Sequence, residues 1–162
     1  MSSWKSLYRW LPFAALVLIA AGCYDKKSSY GTNPEQPTEA EAFWDKIHAQ
    51  GYRTWNRAPG YEVRRPSAAA HGDSVDVYVN TVIVATLASG GNPSAWPQGS
   101  IIVKDGFQNG AQTLVAAMEK RSGGWYWAEY ETGGRILASG SPTGCTGCHS
   151  SGSDFVRAFT LP

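Results

Sequence analysis

The sequence predicts an α+β, β-rich fold: an antiparallel sheet with one N-terminal helix and a C-terminal segment carrying a CxxCH motif. Three observations predict it. Ser74–Val79 and Ser100–Lys104 alternate apolar and polar residues with period two, the pattern of a strand with two different faces. Thr132-Gly133-Gly134 separates two further strand candidates, Trp125–Tyr130 and Arg135–Ala138, which predicts a hairpin. Ahead of all these, Ala40, Phe43, Trp44 and Ile47 fall on one face of a helix.

Taken in order, the first 22 residues carry a short basic region (Lys5, Arg9) and an apolar run from Leu11 to Ala21 broken by Pro12. A membrane span needs ~20 apolar residues, so this run reads as a secretory signal. It ends in Ala20-Ala21-Gly22-Cys23, similar to a bacterial lipoprotein box except that Ala20 stands where leucine is usual. The chain has three cysteines. An acylated Cys23 leaves only the CxxCH pair, whereas an ordinary signal peptide would leave Cys23 as a free thiol in an oxidising compartment. The expectation is a periplasmic protein held to a membrane by lipid on Cys23. With Tyr24 following, nothing retains it at the inner membrane, which points to the outer one. Residues 23–37, rich in Ser, Gly, Asn and Pro, read as a flexible tether, and 38–162 as the folded domain.

Lys5 and Arg9 are two of the 14 basic residues, so the chain from Cys23 carries 12 basic against 13 acidic ones. No basic stripe suggests nucleic acid. The domain opens with the helix, for which Thr38 and Glu41 have the spacing of a capping box and Gly51 supplies the stop. His48 lies beside the apolar face and reads as structural. Leu114–Met118 is a weaker strand candidate, Val82–Ala88 is ambiguous between helix and buried strand, and Gly90–Gly99 is a loop. The glycines and prolines spread through residues 72–140 exclude a four-helix bundle.

Cys145-Thr146-Gly147-Cys148-His149 is the attachment sequence of a c-type haem. Cys145 and Cys148 can add to the two vinyl groups of one porphyrin, and His149 is then held as the proximal iron ligand. A zinc site would need further ligands, and no second cysteine pair exists in the sequence; a plain disulfide is the other alternative. Ser150–Pro162 contains neither Met nor His, unlike small electron-transfer cytochromes with a downstream methionine ligand.

Several segments together resemble the cytochrome P-460 family, which includes cytochrome c-prime beta. These are His71-Gly72 ahead of Val77-Tyr78-Val79-Asn80, the strand Gly99-Ser100-Ile101-Ile102-Val103-Lys104, the aromatic run Gly124-Trp125-Tyr126-Trp127, the CxxCH, and Ser153-Asp154-Phe155-Val156. The resemblance covers about residues 38 to 160. It implies one covalently attached haem c and, in the P-460 proteins proper, a covalent bond from the lysine of this strand to a porphyrin meso carbon. Lys104 is therefore the candidate crosslink, and by alternation it shares a face with Ile102. The competing readings are a solvated lysine or one paired with a haem propionate.

The resemblance further implies action on small nitrogen species: hydroxylamine oxidation, or nitric oxide binding and detoxification, at a five-coordinate haem. Hydroxylamine oxidation requires a proton acceptor, which the resemblance places shortly before the CxxCH. Residues 132–144 contain no Asp or Glu, so Glu131 is the nearest candidate, with solvation in a turn as its alternative; Asp105 and Asp154 are the others. Met118 as a sixth ligand would make an electron-transfer cytochrome with a six-coordinate haem, and His71 is a further distal candidate. The resemblance also suggests an aromatic distal cap, since cytochrome c-prime beta closes its distal pocket with phenylalanine, and the tryptophans, tyrosines and phenylalanines of this chain could build one. A gas-binding module without turnover is the third reading. A periplasmic electron acceptor and a homodimer are the partners the resemblance implies.

Overall fold

The computed structural model describes residues 36–68 and 70–162, and the expected signal peptide, Cys23 and most of the expected tether lie outside the described residues. Among the described residues the architecture is one seven-stranded antiparallel sheet with three α-helices and a 3-10 turn. The strands are β1 (Asn56–Arg57), β2 (Arg65–Pro66), β3 (Ser74–Val79), β4 (Ile101–Gln108), β5 (Ala111–Arg121), β6 (Gly124–Glu131) and β7 (Ile136–Gly140). The spatial order is β1-β3-β4-β5-β6-β7, with β2 also pairing β3. The expected α+β, β-rich class is the observed one.

Helix α1 (Gln36–Ala49) starts two residues before the expected cap, so Thr38 lies within its first turn. Pro37 is compatible with that start, because the first turn has no intrahelical partner for an N–H. Ala40, Phe43 and Ile47 of α1 pack on Tyr78, Ile101, Val103, Val115, Tyr126 and Tyr130. His48 sits on this side, with Nδ1 2.9 Å from the Trp44 carbonyl oxygen and its ring stacked on Trp44, a structural role.

The ambiguous segment is a helix, α2 (Thr81–Ala88). Asn80 decides it. Its Oδ1 accepts from the Ile83 and Ile101 amides, and its Nδ2 donates to the Gly99 carbonyl at 2.7 Å. One side chain thereby caps the helix and ties it to the start of β4. The weak strand candidate is the longest strand, β5. Its alanines lower β propensity, but β4 and β6 flank it on both sides, and full pairing overrides propensity.

Alternation divides the sheet into two faces. Val75, Val77, Val79, Ile102, Met118, Trp125 and Trp127 point away from α1 and meet Ile83, Trp96, Val156 and Phe159. This second face is only partly covered by chain. Helix α3 (Thr143–His149), formed by the CxxCH itself, stands over its open part.

Candidate functional site

A cavity of about 800 Å³ lies between the second face of the sheet and α3. In an α-helix, residues spaced i, i+3 and i+4 share one side, so Cys145, Cys148 and His149 all present to the cavity, and all three line it. The two thiols are free, Cys145 half-buried and Cys148 exposed. Burial, with Glu129 and Cys148 adding, raises the Cys145 thiol to about 11. Among the described residues no group of three or more His, Cys, Asp and Glu side chains is arranged to hold a bare metal ion.

His149 is oriented from two sides. Its Nδ1 lies 2.9 Å from the Phe155 carbonyl oxygen, a contact that makes Nδ1 the protonated nitrogen and leaves Nε2 for a ligand. The Trp127 ring meets the imidazole edge-on, with centroids 4.6 Å apart. Burial pulls the His149 pKa below its usual value despite that hydrogen bond, and the nearby Lys104, His71 and Arg157 push the same way. A neutral imidazole with one free nitrogen is the form that ligates metal.

From the floor of the cavity Lys104 rises beside Ile102, as alternation predicts. Burial is the largest influence on its ammonium and lowers its pKa; Arg157 adds, while Cys148 and Glu129 oppose. Lys104 Nζ is 3.5 Å from His71 Nδ1, and His71 Nε2 is 3.2 Å from Glu129 Oε1. Two glycines bring this chain of groups together. A Cβ on Gly106 would stand 2.1 Å from the His71 carbonyl oxygen, and one on Gly72, whose φ is +105°, 2.2 Å from the Phe107 carbonyl oxygen. Only bare Cα atoms let the His71-Gly72 turn lie flat on β4.

Glu131 does not join this group. It is the last residue of β6, beside the exposed β6–β7 turn and ion-paired with Arg135, and that hydrogen bond lowers its pKa. Asp105 is buried on the α1 face, accepting from Tyr52 Oη at 2.7 Å and Arg53 Nε at 2.8 Å. Asp154 is clamped by Lys120 at 2.8 Å, outside the cavity lining. The carboxylate at the cavity is Glu129, which the sequence reading passed over; its parity with Trp127 on β6 was the available signal. Met118 packs beside Ile102 and Trp127 and forms part of the cavity wall. Among the described residues, the aromatic rings on that wall, the two histidines aside, are Tyr61 and Trp127.

These observations fit a covalently attached haem: a large cavity with apolar walls, two free thiols and an imidazole on one helix face, and an Nδ1 already held by a carbonyl. No curated protein matches the chain. The family model described as Cytochrome P460 matches residues 49–156, a span that contains the whole sheet and the CxxCH. The chain belongs to the cytochrome P460 family, and with it to the c-type haem proteins.

Proposed function

We propose that the protein is a periplasmic, lipid-anchored monohaem cytochrome whose five-coordinate haem acts on small nitrogen species, oxidising hydroxylamine or binding and detoxifying nitric oxide. The observation that carries this reading is the convergence of Cys145, Cys148, His149, Lys104 and the His71–Glu129 pair on one cavity. Bound haem supplies an iron atom that coordinates the nitrogen of a small ligand and accepts its electrons. Cys145 and Cys148 anchor the ring as thioethers, each thiol adding across a vinyl group with no net oxidation. His149 Nε2, left free by the Nδ1 contact with the Phe155 carbonyl, is the atom that would hold the iron. Glu129, paired with His71, accepts protons released as the substrate is oxidised. A periplasmic acceptor carries the electrons away, and acylated Cys23 keeps the reaction at the membrane.

Lys104 is the crosslinking residue. Burial favours its neutral amine, and that amine would be the nitrogen that bonds a porphyrin meso carbon. A second reading, an electron carrier with a filled sixth position, is favoured by one observation: Met118 stands on the cavity wall.

Absorption spectra of the purified ferric and ferrous protein, with and without pyridine denaturation, test these readings. A ferrous Soret band far to the red with an abnormal pyridine spectrum supports the crosslink, and Lys104→Ala then restores an ordinary c-haem spectrum. A normal pyridine spectrum with high-spin bands removes the crosslink and leaves nitric oxide binding as the function. Low-spin bands in both oxidation states select the electron carrier.

A further inference from the structure

The segment that follows the haem motif contains two consecutive non-glycine residues in the left-handed region: Asp154 at φ +46° and Phe155 at φ +66°. A bulky residue such as phenylalanine rarely adopts this conformation, and it persists only where surrounding contacts over-determine it. Those contacts converge on Asp154. Lys120 Nζ donates to both carboxylate oxygens at 2.8 Å, and the Trp96 backbone N–H donates to Oδ2 at 2.8 Å. Trp125 Nε1 donates to the Asp154 main-chain carbonyl, also at 2.8 Å.

Three separate parts of the fold thus hold one residue: β5 through Lys120, β6 through Trp125, and the loop before β4 through Trp96. Lys120 and Asp154 are largely buried, with 16% and 13% of their side chains exposed. Reciprocal backbone hydrogen bonds between Ser153 and Val156 close the turn, and Val156 is anchored in the core. The residue immediately after Asp154 supplies the carbonyl that faces His149 Nδ1.

We propose that Asp154 is a positioning residue for the axial histidine: clamped by Lys120 and the Trp96 amide, it fixes the left-handed turn that aims the Phe155 carbonyl at His149 Nδ1 and so sets the imidazole's orientation and electron donation. This rests on the reading of His149 as the axial ligand. Outer-shell partners of this kind fix ring orientation and raise ligand basicity. Here the partner is a backbone carbonyl, which no side-chain substitution removes, so control passes to the residue that shapes the turn. Asp154 serves the iron through the chain, not as a proton acceptor at the substrate.

The test uses the holoprotein, with covalent haem verified by haem staining after denaturing electrophoresis and the fold verified by far-ultraviolet circular dichroism. The readouts are the iron–histidine stretch in the resonance Raman spectrum of the ferrous protein and the midpoint potential. The potential reads the change whether the sixth position is open or filled. Asp154→Ala is expected to lower and broaden the stretch and raise the potential. Asp154→Asn, which tolerates the left-handed region and keeps an acceptor for the Trp96 amide, falls between the two. Lys120→Met on β5, far from the haem motif in sequence, reproduces the direction of the Asp154→Ala shift. An unchanged band and potential in folded, haem-loaded Asp154→Ala overturns the inference. If that variant does not fold, unchanged values in Lys120→Met overturn it. Wild-type protein without covalent haem overturns the underlying reading instead, and the inference with it.

Discussion

Glu129 and Glu131 stand two residues apart on β6 and meet different surroundings. Both have the parity of Trp127, but Glu129 faces the cavity and His71, while Glu131, the last residue of β6, lies outside the cavity lining and pairs with Arg135. An exposed i,i+4 pair of this kind contributes little to stability. A carboxylate positioned as a general base typically contributes 10²–10⁴-fold. In hydroxylamine-oxidation assays, Glu129→Gln is therefore expected to lower kcat by about 10²-fold, and Glu131→Gln to leave it unchanged. Equal activity in both variants removes Glu129 from the reaction. The site residues legible in the sequence were those with a motif or a period behind them: Cys145, Cys148 and His149 from CxxCH spacing, and the facing of Lys104 from alternation. Glu129 was not, because Glu131 is nearer the haem motif along the chain, and alternation cannot tell where a strand leaves the cavity.

At the scale of elements, the local chemistry of single residues settles what periodicity leaves open. The strands β3, β4, β6 and β7 were readable from alternation and turn glycines. The helix α2 was not, because Thr81–Ala88 is apolar on nearly every side, and the deciding signal was the cap at Asn80. The α3 helix was hidden by the glycines of its own motif, which carry low helix propensity. The placement of the His71-Gly72 turn depends on two glycines far apart in sequence, a contact no local pattern encodes. Gly106→Ala would drive a methyl group into the His71 carbonyl, backbone against backbone. Overpacking without a flexible neighbour costs about 1–3 kcal/mol and sometimes more, so a loss of about 3 kcal/mol is expected in urea unfolding of the holoprotein. The same variant displaces His71 from Lys104 and Glu129. Unfolding unchanged to within about 0.5 kcal/mol would show that the turn yields without strain.

For the whole molecule, the sheet is a partition between two unlike interiors. The cavity face holds groups chosen for chemistry, while the α1 face is closed by helix and built around tyrosines. Four of them, Tyr52, Tyr78, Tyr126 and Tyr130, are buried there, and burial raises the pKa of each, with Asp105 adding at Tyr52. Their hydroxyl protons are part of the packing: Tyr52 donates to Asp105, and Tyr130 to the Ala40 carbonyl of α1 at 2.7 Å. In the unfolded chain a tyrosine ionises near pH 10. Above that pH the unfolded state loses protons that the folded state keeps, so stability falls as pH rises. The contribution is complete below the unfolded pKa and is lost from there up to the folded one, with a limiting slope of about 1.4 kcal/mol per pH unit for each tyrosine. A Lys104 without the crosslink would act with the opposite sign, since its lowered pKa makes stability rise with pH until about 10.4, the unfolded value. One such group against four leaves the tyrosines in control above pH 10. Urea midpoints measured from pH 8 to 11 should hold to about pH 9.5 and then fall steeply. Tyr52→Phe, which removes one ionising group, should make that fall shallower even though it lowers stability at pH 8 by removing the hydroxyl that donates to Asp105, leaving Arg53 as the donor there. A midpoint flat to pH 11 would mean that the α1 face opens to hydroxide without unfolding.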